Sequence, residues 1–253
     1  MLRTVLLAAL AVLLTQGVAL GQIVELEGRY WFTDLRATMK AKGGSLPGTD
    51  IDVKDDLGLK GADAPEGRLT FLTGPNSRIR LAYTLLHFEG EKTVGRTIAF
   101  DGTSFAANSR VATDVEVQYG RIGWIWEPLG IPRVLKFGGI LEAKGFLIDA
   151  TLKNRGVTPE SKESATLPLV LPTIGVALDL TLHRTVHLFA EASGLPAGDL
   201  GHIVDAEAGL RFLPVPLFSL SAGYRVLDLR AEDSGDFAKV NLSGPFVGAS
   251  LRF

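Results

Sequence analysis

The stretch Ile174-Gly175-Val176-Ala177-Leu178-Asp179-Leu180-Thr181-Leu182 decides how this 253-residue chain is read. Ile174, Val176, Leu178, Leu180 and Leu182 share one face, while Thr173, Gly175, Ala177, Asp179 and Thr181 share the other. Successive side chains of a strand point to opposite faces, whereas a helix would scatter these residues around its axis. The same alternation follows downstream. Val186, Leu188, Ala190 and Ala192 oppose His187, Phe189, Glu191 and Ser193, and Val204 to Phe212 places Asp205, Glu207, Gly209 and Arg211 on its second face. Phe218, Leu220, Ala222, Tyr224 and Val226 oppose Ser219, Ser221, Gly223 and Arg225. The last strand carries Val247, Ala249, Leu251 and Phe253 on one side, with Gly248, Ser250 and Arg252 between them.

Upstream the pattern is similar. Leu135, Phe137, Gly139, Leu141 and Ala143 oppose Lys136, Gly138, Ile140, Glu142 and Lys144. In 111–126, Val115, Val117 and Tyr119 oppose Asp114, Glu116 and Gln118, and a change of phase after Arg121 aligns Ile122, Trp124 and Trp126, which predicts a slip. Strands are predicted over 68–73 and 78–88, joined by Gly74-Pro75-Asn76-Ser77, a cluster of turn formers. A first strand runs over 23–40, with Val24, Leu26, Tyr30 and Phe32 against Glu25, Glu27 and Arg29, and a phase shift at Thr33-Asp34 predicts a bulge. Residues 43–66 and 153–166 read as long polar loops, and 92–109 as a loop with its own short hairpin.

Met1-Leu2-Arg3-Thr4, the apolar run 5–14 and Ala19-Leu20-Gly21 have the order of a secretory signal, so 1–21 is expected to be removed and 22–253 to form one barrel domain. With 46% hydrophobic residues and a mean hydropathy of +0.23, apolar content is high. Nothing after Leu14 reaches the roughly 18 consecutive apolar residues of a membrane-crossing helix, so that content belongs on strands. A net charge of −2 offers no footprint for nucleic acid, and the absence of cysteine excludes disulfides and thiolate metal sites.

Tight turns at 74–77, 128–132, 183–184 and 214–216 alternate with longer polar connections, the asymmetry of an outer-membrane barrel. The expected fold is all-β: a single antiparallel up-and-down transmembrane barrel of about ten strands, bracketed by eight and twelve. Tyr30, Phe32, Trp124, Trp126, Phe212 and Phe218 near strand ends suit interfacial girdles. With its signal-like N-terminus, repeated alternation and final aromatic strand, the chain resembles the Gram-negative outer-membrane β-barrel proteins, in the size class of the small OmpA and OmpW types. The resemblance implies export to the bacterial outer membrane, contact with its lipid, and recognition of Val247, Ala249, Leu251 and Phe253 by the barrel-assembly machinery. It also implies a monomer.

The expected lumen carries Glu27, Arg29, Arg80, Glu116, Lys136, Glu142, Asp179, Glu191, Asp205, Glu207, Arg211 and Arg225. A lumen this narrow is filled by side chains, and confined charges must pair, so a salt-bridged filling is favoured over a selective passage. Asp50, Asp52, Asp55 and Asp56 supply hard oxygen ligands for a divalent cation, but the glycine and terminal glutamate of an EF-hand are missing, which favours a solvated loop. His183 and His187 are four apart on a turn and strand, where they do not converge as a helical pair does. His87, His202, Asp101 and Ser104 form no local catalytic pattern, so the expectation is a structural or porin-like barrel without cofactor and not an enzyme. An outer-membrane enzyme acting on lipid or peptide, or a barrel presenting its long loops to a partner, are the alternatives.

Overall fold

The computed structural model describes residues 24–40, 49–59, 61–93, 95, 97–100, 103–105, 107–154, 161–198, 201–233 and 236–253. The segment expected to be a signal lies outside them. Ten antiparallel strands close a ring: β1 (Val24–Phe32), β4 (Asp63–Gly74), β5 (Ser77–Thr93), β8 (Arg110–Ile131), β9 (Leu135–Asn154), β10 (Ser161–His183), β11 (Val186–Pro196), β12 (Gly201–Val215), β13 (Phe218–Asp233) and β14 (Asp236–Arg252). Closure is made by β1 on β14, from Glu25 opposite Arg252 to Trp31 opposite Phe246. Beyond the ring, β2 (Asp34–Lys40) prolongs β1 along β14, and β3 (Ile51–Asp52) adds to β2. Residues 92–109 hold the expected small hairpin, β6 (Ile98–Phe100) with β7 (Thr103–Phe105).

Along the rim of tight turns, the ring turns apolar side chains outward. Leu26, Tyr30, Ile79, Leu81, Ile122, Trp124, Leu141, Ile174, Val176, Leu210, Tyr224 and Val247 are all exposed on this outer band. An apolar belt encircling a molecule is far larger than the patches that soluble monomers leave open. Trp124, Trp126, Phe137 and Phe212 lie near the turn rim, and Tyr30, Phe32, Tyr83 and Tyr224 toward the loop rim, as two girdles. Trp124 and Trp126 stack at 6.3 Å, and the Trp124 Nε1–H donates to Ser77 Oγ at 2.8 Å.

Neither expected change of phase is a slip in the backbone. The β1–β14 register passes unchanged from Trp31 opposite Phe246 to Asp34 opposite Ser243 on β2. At Thr33, between the two strands, the N–H donates to the Ala62 carbonyl at 3.0 Å, in register with the β1–β4 ladder. On β8 the register with β5 is continuous from Arg110 to Trp126, and the irregularity with β9 falls between Trp126 and Leu129. What changes is the surroundings of each face. Toward the loop rim Leu35, Ala37, Leu86, Phe88, Val111, Ile203, Leu227 and Leu242 turn inward and are buried, while Arg36, His87, Glu89, Asp114, Glu116, Asp228 and Arg230 stand on the outer face. The barrel thus has two storeys: a lower one greasy outside and charged inside, and an upper one with the apolar core and polar exterior of a protein in water.

The expected polar loop 43–66 is corrected in two ways. Strand β4 starts at Asp63, so Glu66 belongs to the barrel wall. Among the described residues of the loop, Ile51, Val53, Leu57 and Leu59 are buried in one apolar cluster with Leu35, Ala37, Leu86, Phe88 and Val111. The loop is a lid folded into the mouth. It is clamped at Thr33, whose Oγ1 donates to the Ala62 carbonyl at 2.6 Å and accepts from the Ala62 N–H at 2.9 Å. On β5, two strands along the wall from β1, Gly90 leaves room for the lid, since a Cβ there would lie 2.8 Å from the backbone of Leu57, Gly58 and Leu59.

Candidate functional site

Inward alternation in the lower storey forces charged side chains from most strands into one narrow space, and they meet across it. Glu66 of β4 is the hub: it accepts from Arg121 Nη2 at 2.8 Å, from Arg225 Nη1 at 2.6 Å, from Thr84 Oγ1 at 2.7 Å, and from Arg68 Nε. Asp205 of β12 accepts from Arg225 Nε and Nη2 at 2.9 and 2.8 Å and from the Tyr119 hydroxyl at 2.8 Å, with Arg121 and Lys144 each at 3.4 Å. Glu207 receives Arg68 through Nη1 and Nη2 at 2.9 and 2.6 Å, and Arg29 Nη1 at 3.0 Å. Glu27 receives Arg29 Nε at 2.8 Å and Ser221 Oγ at 3.0 Å. Glu142 receives Lys144 Nζ at 2.5 Å and Ser193 Oγ at 3.0 Å.

Toward the turn rim, Glu191 of β11 takes Arg80 of β5 at 2.5 Å and Arg78 at 3.3 Å, and Arg78 also reaches Glu127. Several of these pairs, β4 with β12, β8 with β12 and β5 with β11, join strands four places apart in a ring of ten, so the bonds span the lumen. Charge is balanced: among the described residues Arg29, Arg68, Arg80, Arg121, Lys144 and Arg225 are buried against Glu27, Glu66, Glu127, Glu142, Asp205 and Glu207. Balance is what makes such a layer tolerable, since an uncompensated buried charge costs several kcal/mol by rough estimate. Cation–π contacts join this layer to the apolar storey above, with Arg225 4.7 Å from the Trp31 ring and Arg29 4.6 Å from the Phe246 ring.

Of the residues expected in the lumen, Glu27, Arg29, Arg80, Glu142, Glu191, Asp205, Glu207 and Arg225 lie in this layer. Asp179 and Arg211 form a looser pair at 3.4 Å nearer the turns. Two require correction. Glu116 stands on the outer wall of the upper storey, accepting from Gln118 Nε2 at 3.3 Å, because β8 keeps one phase and turns Val115, Val117 and Tyr119 inward. Lys136 is exposed at the turn rim, where its Nζ donates to the Pro75 carbonyl at 3.1 Å. Sequence reasoning passed over Glu66, Arg68 and Arg121 as members of the layer; Pro65 and Gly67 disguise the strand around Glu66, although Ala64, Glu66, Arg68 and Thr70 continue a single alternating face.

The aspartates of the lid serve its turn. Asp52 Oδ1 accepts from the N–H groups of Lys54 and Asp55 at 3.0 and 2.8 Å, Asp56 Oδ2 accepts from the Asp52 N–H at 3.0 Å, and Asp50 pairs with Lys40 at 2.9 Å. Asp55 contributes its carbonyl as an acceptor for Lys92 Nζ. The four carboxylates therefore do not converge on one point. The histidines are separate too: His187 Nδ1 faces both Asp179 Oδ1 at 3.1 Å and Thr181 Oγ1 at 3.4 Å, so carboxylate and hydroxyl share one nitrogen and no proton relay runs through the ring. His183 faces Thr185, His202 faces Asp228, and His87 faces Glu89.

No protein-family model and no curated protein matches the sequence. Solved structures do. The outer membrane protease OmpT of Escherichia coli superimposes with a TM-score of 0.59 at 9% identity, over 94% of this chain and 100% of its own. The translocator domain of the autotransporter NalP of Neisseria meningitidis superimposes with a TM-score of 0.51 at 12% identity, over 99% and 96%. At such identities the likeness concerns the fold, and with the closed ring and the greasy belt it leads to one conclusion: the chain has the ten-stranded antiparallel fold of the outer-membrane β-barrel proteins.

Proposed function

We propose that this protein is an integral outer-membrane barrel with a sealed lumen, serving as a structural anchor that carries a rigid β-wall above the membrane. The ion pairs that span the lumen carry this reading, because side chains bonded across it obstruct the passage of a solute. The lid closes the upper storey a second time with apolar side chains. Strand length supports the anchoring role: β8, β9 and β10 run for 22, 20 and 23 residues, whereas about 9–11 suffice to cross the hydrocarbon region. Export through the 1–21 segment, insertion by the assembly machinery through Val247 to Phe253, and a monomeric state belong to the same proposal.

The protease relative raises the enzymatic reading for comparison, but none of the four histidines, all among the described residues, bridges a carboxylate and a nucleophile. Planar bilayers test the proposal. The inserted wild-type protein should be electrically silent, and a variant that empties the hub, Glu66→Ala with Glu207→Ala, should show current. Regular conductance steps from the wild type would overturn the sealed barrel.

A further inference from the structure

Just above the outer apolar belt, strands β12, β13, β14 and β2 frame a recess of about 390 Å³ on the outside of the barrel. Arg36, His202, Asp228, Arg230, Lys239 and Asn241 line it. Register explains the grouping: Asn241 lies opposite Asp228 on one side and Arg36 on the other, and Lys239 lies opposite Arg230 and Thr38. Lys239 and Arg230 are therefore like charges facing each other across a strand pair, an arrangement that disfavours itself unless an anion sits between them.

The acids at the recess are already committed. Asp228 Oδ1 lies 2.7 Å from His202 Nε2, and its Oδ2 accepts from Asn241 Nδ2 at 2.9 Å. Asp52, at the edge, has one oxygen taken by two backbone N–H groups of the lid turn. The cations are less committed. Arg36 meets Asp34 through Nε, at 3.4 Å, Arg230 meets Glu232 through Nη2, and Lys239 has a contact with the Phe237 ring at 5.2 Å but no carboxylate partner among the described residues. Guanidinium N–H groups of two arginines and an ammonium thus face outward around one recess, Arg230 and Lys239 directly opposite and Arg36 two residues nearer the turn rim, the donor set that suits a phosphate.

We propose that this recess binds the phosphate of an outer-leaflet lipid headgroup. The proposal rests on the membrane reading, because Val204 and Val226, one step toward the turn rim on β12 and β13, belong to the greasy face, which sets the recess at the depth of lipid phosphates. Lys239 and Arg36 clasp the phosphate, and the Asp228–His202–Asn241 group holds the floor.

The test uses protein folded into phosphatidylcholine vesicles that contain a minor share of phosphatidic acid, followed by detergent extraction and native mass spectrometry of retained lipid. Wild-type protein and Glu116→Gln, altered on another part of the outer wall, should retain phosphatidic acid equally. Arg36→Gln with Lys239→Gln should retain about twenty-fivefold less, from about fivefold for each cation lost near a membrane surface. Equal retention by the double variant and the wild type overturns the proposal. In parallel, lipid-free protein in detergent is titrated with inorganic phosphate: binding there without lipid retention would overturn the lipid source and leave a soluble phosphate ester as ligand. Should the chain fail to enter vesicles, the membrane reading itself fails, and the phosphate titration of wild type against the double variant still decides whether the recess binds phosphate.

Discussion

Glu66 shows how much one side chain holds when three guanidinium groups converge on it. Replacing it with alanine leaves Arg68, Arg121 and Arg225 short of a partner inside the lumen, and should cost about 3–5 kcal/mol in urea unfolding of the folded barrel. Glu116→Gln, on the outer wall, should stay within about 0.5 kcal/mol in the same titration. Exposed charge titrates differently from buried charge. The Glu89 hydrogen bond, opposed by slight burial and aided by nearby Asp114, raises the His87 pKa above the usual imidazole range. Because the folded-state value is the higher one, the stabilisation is complete below the unfolded pKa and disappears as pH rises through the folded one. NMR titration should show the His87 midpoint falling in Glu89→Gln; an unchanged midpoint would refute that pairing.

At the scale of the element, β5, β8, β12, β13 and β14 exchange their apolar and polar faces once at the change of storey, with no break of register at that height. On β5 the outward series Ile79, Leu81, Tyr83, Leu85 gives way to His87 and Glu89, while the inward series passes from Arg80 to Leu86 and Phe88. The exchange marks the height at which lipid outside gives way to water, and a lid begins to fill the inside. Lipid-facing positions below it should reject charge: Leu178→Arg on β10 is expected to cost about 2–4 kcal/mol in folding titrations if it lies near the midplane. The lid depends on one close approach. Gly90→Val should push residues 57–59 off the wall, and limited trypsin digestion should then cut at Lys54 faster than in the wild type while the barrel survives. A second structural device lies on β10, whose residues 161–173 pair, among the described residues, with β9 alone, since β11 pairs from Ile174 onward. Thr181 donates its N–H toward the β9 side, so even-numbered residues face the open edge and Pro168 and Pro172 remove donors there.

For the whole molecule, the closed ring predicts heat-modifiable migration: unboiled protein should run faster on a denaturing gel than boiled protein, and identical mobility would count against a closed barrel. Ten strands, the greasy outer face and the turn rim were legible in the chain because lipid imposes a period of two on every strand that crosses it, and Ile174 to Leu182 obeys that rule without exception. Residues 111–126 misled because a pattern of apolar and polar residues records surroundings, and a swap of surroundings looks the same as a slip of one residue. The sequence by itself determined the inward phase of most lower-storey strands, and hence that the lumen would be ionic. Only the tertiary structure decided which acid meets which base, that Glu66 is the hub and that residues 51–59 form a lid, because these partners lie two to four strands apart around the ring or across a loop, and separations of that kind leave no trace in local periodicity.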